Sequence, residues 1–452
     1  MRLTEQSAGM SESQHHPTIP LTRRQWLGGA AAAGAVTALG AVPAFAQSGF
    51  GWPNVTKLLE SYVSQRKVSG MVAALAFRRR DATFIARGYD TFARPRLSDA
   101  DSIYRIYSMT KPITGMAAMM LIDEGKLGLD QPLYEILPAF KDMQVQKVYD
   151  GPITADNLEP AIRPITIRML LTHTSGLGYG IVQQGPIVKA YQDRGVVPGL
   201  VTRLQELPVF RGTAVPSLKL FADRLAEFPL VYQPGTRWSY SMGADLMGRV
   251  IEVVSGQKFD DFLQHRFFDP LGMKDTHFQV PRNDAERMTT SYYLAGGTLL
   301  PIDLGSDSVF MDPPPFPFGG SGLASTPRDY DKFLHMLAGH GSFEGNEVMS
   351  EAAVKLGTSN LLPQTVQPDP NPKGLGLDLS KYGFGALGRV GKGSQASIYG
   401  WAGAAGTIGF VDTRTGLRAG LFTQYMPSDA YPLIDEFPAA ILADIPNLLG
   451  GA

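Results

Sequence analysis

Apolar and polar positions follow strand periods near both ends of the chain and helical periods through its middle. Residues 55–68 set Leu58, Leu59, Tyr62 and Val63 at helical spacing, which predicts a surface helix ended by Gly70. Residues 71–77 form a continuous apolar run and read as a buried strand. Residues 82–89 read as a second strand, joined to the first by a hairpin turn at Arg78-Arg79-Arg80-Asp81. Residues 406–411 and 417–425 predict two more strands around Asp412-Thr413-Arg414-Thr415-Gly416, and 431–449 a closing helix. Hairpins at both ends, with helices beside them, predict one antiparallel sheet built from the two ends of the chain. The stretch 136–280 is mostly helical in pattern and reads as an insertion. The expected architecture is therefore α+β, with a sheet subdomain from 47–135 and 281–452 and a helical subdomain at 136–280. Proline-rich segments at 313–320 and 361–374 read as stiff loops, and no internal repeat is visible.

The first 46 residues read as an address. Arg23-Arg24 precedes an Ala- and Gly-rich apolar run, and Ala44-Phe45-Ala46 has the small-x-small form of a cleavage site. This predicts a twin-arginine export signal cleaved after Ala46, and a periplasmic or secreted mature chain. The apolar run is shorter than the ~20 residues a membrane span needs. No later apolar stretch reaches membrane-spanning length, so no stable membrane insertion is expected after cleavage.

Composition narrows the function. The 452 residues carry 41 Lys+Arg against 42 Asp+Glu, a net charge of −1, which argues against a nucleic-acid partner. With 44% hydrophobic residues the chain can bury a large core, so it is not a disordered polymer. Zero cysteines exclude disulfides, thiolate metal sites and a Cys nucleophile. His265, His277, His335 and His340 lack metal-ligand spacing, so neither a metal nor an organic cofactor is expected. Gly383-Phe384-Gly385-Ala386-Leu387-Gly388 matches the dinucleotide-binding glycine pattern, but without strand-to-helix context it reads as a turn.

Candidate chemistry begins at Tyr107-Ser108-Met109-Thr110-Lys111-Pro112. A helix follows, with Ile113, Met116, Ala117, Met120 and Leu121 as its apolar face and Gly125 as its cap. Pro112 suits the first turn. Ser108 then lies where free N–H groups and the helix dipole stabilise negative charge, and Lys111 is one turn on. An alcohol needs a base to become a nucleophile, and a desolvated lysine can serve. Taken alone, the pair also fits a helix cap beside a solvated lysine. Ser64…Lys67 and Ser255…Lys258 repeat the spacing, but no long apolar helix follows either of them.

Three further segments come in order: Leu171-Thr172-His173-Thr174-Ser175-Gly176, Trp238-Ser239-Tyr240-Ser241-Met242-Gly243, and Trp401-Ala402-Gly403-Ala404-Ala405-Gly406. The last opens a strand in this reading. Gly320-Ser321-Gly322-Leu323-Ala324-Ser325-Thr326-Pro327 leads into another helix. In this order the string resembles the serine β-lactamase-like family, which comprises class C β-lactamases, DD-peptidases and family VIII carboxylesterases. The resemblance runs from about residue 55 to 445.

The resemblance implies Ser108 as the acylated nucleophile, Lys111 as its partner base and Tyr240 as a proton relay. It implies an oxyanion hole from the N–H groups of Ser108 and Ala404. It makes His173 structural, and the position of that histidine at a helix end suggests capping. Two positions depart from the lactamase pattern: Met242 stands where an asparagine is usual, and Trp401 where a lysine is usual. That replaces an amide and a cation by apolar surface, which favours uncharged esters over anionic β-lactams. A Trp at the start of the third motif resembles the family VIII esterases. Met242, Trp401, Gly403 and Tyr179 are expected to line the substrate cleft, with Phe316 and Phe318 added on loop position alone. The expected activity is hydrolysis of short-chain esters of small molecules. A β-lactamase or D-amino-acid peptidase on the same scaffold, or a non-catalytic acyl-binding sensor, are the alternatives. The oligomeric state is not legible.

Overall fold

The computed structural model describes residues 51–204, 212–370 and 376–449; the export signal read at 1–46 lies outside them. An antiparallel sheet of eight strands forms the centre of an α+β fold. In chain order the strands are β1 Gly70–Phe77, β2 Thr83–Thr91, β3 Arg94–Leu97, β4 Tyr382–Phe384, β5 Arg389–Gly391, β6 Ile398–Ala402, β7 Ile408–Asp412 and β8 Leu417–Phe422. Across the sheet the order is β4-β5-β6-β7-β8-β1-β2-β3. The first strand of the sheet in chain order therefore pairs with its last, Val72 opposite Phe422 and Phe77 opposite Leu417. This is the sheet built from both chain ends that the pattern predicts.

Helices cover both faces. Those that matter below are α1 Pro53–Ser64, α2 Thr110–Asp123, α3 Ile167–Leu171, α4 Pro186–Asp193, α5 Leu218–Leu225, α6 Gly243–Ser255, α7 Phe259–Leu263, α8 Pro327–Ala338, α9 Glu351–Gly357 and α10 Leu433–Leu449. Among the described residues, no helix is long and apolar enough to cross a membrane. Successive side chains of a strand point to opposite faces. Met71, Ala73 and Leu75 of β1 join Val55, Leu59 and Tyr62 of α1 and Leu433, Phe437 and Ile441 of α10 in one core. Val72 points the other way, into a larger core with Met109, Tyr330 and Phe422. Burial on both faces is why β1 reads as a continuous apolar run.

Several elements differ from the sequence reading. α1 ends at Ser64, because Arg66 enters the left-handed region at φ 56°. α2 is buried on every face from Thr110 to Leu121, and not along one stripe, because it packs against α6 and α9 inside the larger core. Trp401 closes a strand and does not open one: β6 starts at Ile398, and residues 403–407 turn the chain into β7, with Gly406 at φ 82°. The glycine string at 383–388 is the hairpin between β4 and β5, closed by the Gly385 N–H donating to the Gly388 carbonyl at 2.8 Å. Strands as short as β4 and β5 carry no period to read.

One buried ion pair anchors the segment leading to Ser108. The Arg105 guanidinium, fully buried, donates to Asp303 at 2.6 Å, to the Thr289 carbonyl at 2.6 Å and to Ser308 Oγ at 2.9 Å. Removing one member of such a pair leaves the other charge buried and unpaired. Asp303→Ala is therefore expected to destabilise the fold by about 3–5 kcal/mol, read from the shift of the urea midpoint. A change under about 1 kcal/mol, the size of an exposed pair, would contradict this reading.

Candidate active site

The chain presents Ser108 by burying everything around it. Between Ser102 and Leu121, Ser108 is the one position that is not buried. It sits in a single 3-10 turn, Tyr107–Met109, that runs directly into α2. Tyr107 holds φ 41°, a strained backbone for a large side chain, of the kind that clusters at functional sites. The Tyr107 ring is fixed edge-on against Phe310, with centroids 5.9 Å apart.

Lys111 lies one turn further, on the same side of the helix. Its side chain is fully buried. The ammonium donates to the Gly320 carbonyl at 2.8 Å and to Ser108 Oγ at 3.3 Å. It also lies over the rings of Tyr240 and Tyr179, 4.6 and 5.5 Å from their centroids. The carbonyl partner comes from a strap, residues 319–323, tied along α2. Thr114 donates to the Gly319 carbonyl at 2.8 Å, and the Leu323 N–H donates to Thr110 Oγ1 at 3.1 Å.

Tyr240 closes the group. Its hydroxyl donates to Ser108 Oγ at 2.8 Å, and Trp401 Nε1–H donates to the Tyr240 oxygen at 3.2 Å. His173 braces the Tyr240 loop. Its carbonyl accepts from the Ser239 N–H at 3.0 Å, its Nδ1 bonds Ser241 Oγ at 2.9 Å, and its ring stands edge-on to Tyr240 at 4.8 Å. Burial, with the Lys111 charge nearby, holds this imidazole well below its usual pKa, so the ring is neutral at neutral pH. Its ring reaches across to a loop, while its backbone caps α3 as its position suggests: at φ 54° the His173 N–H donates to the Leu170 carbonyl at 3.5 Å and the following Thr174 N–H to the Met169 carbonyl at 2.9 Å.

The end of β6 packs beside the Ser108 turn. A Cβ on Gly403 would stand 2.4 Å from the Ile106 carbonyl oxygen, so only glycine allows this approach. Ala404 follows it, half-buried. Among the described residues, neither the Ser108 N–H nor the Ala404 N–H donates to a loop carbonyl.

The remaining expected cleft residues divide. Tyr179 is buried with its ring 5.3 Å from that of Tyr240, and burial pushes its phenol well above the usual pKa. Met242, Phe316 and Phe318 are buried in the larger core, where Phe316 packs on Phe221 and Phe318. The proline-rich loop reaches Lys111 through the carbonyl of Gly320, and Thr114 through that of Gly319. Asp245, which the sequence reading did not single out, is buried against this strap. As an acid in the first turn of α6 it reads from sequence as an ordinary complement to the helix dipole. A cluster of Asp275, His277 and Asp284 has its potential ligand atoms within 4.8 Å. Both its carboxylates already accept from Arg287, at 2.6 and 2.9 Å.

A partly exposed serine, held between a buried amine and a phenol at the head of a buried helix, defines a protein equipped for nucleophilic acyl transfer. The chain belongs to the beta-lactamase family, whose model matches residues 55–443. Protein Rv1367c of Mycobacterium tuberculosis is 36% identical over 357 residues, spanning 77% of this chain and 82% of that protein. Esterase EstB of Burkholderia gladioli is 28% identical over 390 residues, spanning 81% of this chain and 88% of its own length. Among solved structures, that of EstCE1, a hydrolase with promiscuous acyltransferase activity, superposes with a TM-score of 0.67. It is 23% identical and covers 86% of this chain and 97% of its own.

Proposed function

We propose that this protein is a serine esterase working through an acyl-enzyme on Ser108. The observation that carries the reading is the position of Ser108 Oγ, 3.3 Å from Lys111 Nζ and 2.8 Å from the Tyr240 hydroxyl. In this reading Lys111 acts as the neutral amine, its extra proton already released to solvent, and takes the Ser108 proton, directly or through the Tyr240 hydroxyl, as Oγ attacks the ester carbonyl. The negative oxygen settles against the N–H groups of Ser108 and Ala404. The carbon–oxygen bond to the alcohol breaks, and the departing oxygen takes the proton back from the pair. Water then attacks the acyl carbon by the same proton route and frees the serine. Binding and the chemistry need no metal or organic cofactor.

Ester over lactam is supported by the residue at the third motif. Trp401 offers an indole N–H and a ring where a lysine would attract a carboxylate. EstB of Burkholderia gladioli is an esterase, and EstCE1 is a hydrolase with promiscuous acyltransferase activity. The substrates in this reading are small uncharged esters, met after export through the twin-arginine route.

The test is kcat/KM for p-nitrophenyl acetate and butyrate beside nitrocefin on the wild-type protein. The esterase reading expects the esters to be preferred by at least about a hundred-fold, the discrimination a lost charge contact supplies. Nitrocefin turnover more efficient than ester turnover would replace the reading by a β-lactamase.

A further inference from the structure

Asp245 is an acid buried with half of its hydrogen-bonding capacity unused. It is 1% exposed. Its Oδ1 accepts from the Gly320 N–H at 2.8 Å, while Oδ2 is buried without a donor. A carboxylate is costly in such a place. Its neighbour is equally particular. A Cβ on residue 320 would stand 2.9 Å from Oδ2 and 3.1 Å from Oδ1, so a larger residue there would push the carboxylate off the strap. The carbonyl of that same Gly320 accepts from Lys111 Nζ. Gly320 thus stands between a buried anion and a buried cation and bonds to both.

We propose that Asp245 is a positioning residue for the nucleophile: it clamps Gly320 so that the Gly320 carbonyl holds the Lys111 ammonium at Ser108, and its carboxylate is the buried counter-charge of that ammonium. The proposal rests on the serine-esterase reading of the site. Among the described residues, Lys111 is the charged group that acts on it. α2 presents Lys111, the loop before α4 presents the Tyr179 ring, and the strap offers backbone. α5 and α7 turn Leu218 and Phe259 toward α6 at Gly248. Burial pushes the Asp245 carboxyl up to about 6, against the pull of the Lys111 charge. The folded carboxyl is thus raised above its unfolded value. Its neutral form is tolerated below about pH 4, and stability is lost as pH rises through about 6.

The test uses Asp245→Asn, which keeps an oxygen for the Gly320 N–H and removes the charge. Because Asp245 does not touch substrate, KM should change by less than about two-fold while kcat falls. A displaced lysine should lower kcat by roughly a hundred-fold. With the anion gone, the acid limb of the kcat/KM profile should move to lower pH by about one unit. The melting temperature should rise above wild type at pH 8 and match it at pH 4. An unchanged kcat and pH profile would overturn the proposal, as would a variant less stable than wild type at both pH values. Gly320→Ala supplies a second route: its Cβ pushes the clamp apart, and kcat should fall there with KM again held. Wild-type turnover and the labelling rate of Ser108 by a fluorophosphonate, run alongside, separate the two readings. Absence of both in the wild type would sink the esterase itself. Both present and indifferent to Asp245→Asn would sink only the role of Asp245.

Discussion

Ser108→Ala abolishes ester turnover and leaves the fold intact: this is the largest effect expected. Ser108 Oγ is where Lys111 and Tyr240 converge, and the acyl group has no other attachment point in the proposed cycle. Removing a nucleophile that acts together with its base lowers kcat by about 10⁴-fold or more, down to what binding and the oxyanion hole still supply. The position is partly exposed, so losing one oxygen should shift stability by under about 0.5 kcal/mol. Steady-state rates on p-nitrophenyl butyrate, with a melting curve on the same preparation, check both halves. A folded variant that keeps a tenth of wild-type turnover contradicts the assignment.

Lys111→Met and Tyr240→Phe are expected to have the next largest effects. Each removes one end of the proton path and should lower kcat by about 10²–10⁴-fold. Methionine fills much of the space of the lysine stem in a fully buried site, so the fold should survive. The two residues serve one proton, and the double variant should therefore be little slower than the worse single variant. Losses that multiply would mean that the two groups act at separate steps. A Lys111→Met enzyme with wild-type kcat would remove Lys111 from the chemistry.

How far the site could be read from sequence depends on the kind of signal each part leaves. Ser108 and Lys111 stand out because a long apolar helix follows them, and burial of that helix on all sides explains why its run is so rich in Met, Ala and Ile. Tyr240 was findable through the order of motifs, since its loop is local in sequence. Trp401 belongs to a motif that reads as the start of a strand. The strand in fact begins three residues earlier, because Ile398 and Tyr399 pair with Asp412 and Val411 across a hairpin that no local period announces. The strap at Gly319–Gly320 works through backbone carbonyls, which have no residue signature. Asp245 was invisible for a different reason: an acid in the first turn of a helix is common, and only its burial against Gly320 sets it apart. The sheet itself was legible at its two inner hairpins, where strands are long, and illegible at β4 and β5, which have three residues each.

The central claim is that an acyl group sits on Ser108 during turnover. Its most direct test is to treat the wild-type protein with a fluorophosphonate ester, measure the intact mass, and map the modified peptide. The account predicts a single adduct on the peptide carrying Ser108, formed in step with loss of esterase activity and absent from Ser108→Ala. An adduct on any other serine, or full inhibition with Ser108 unmodified, would contradict it.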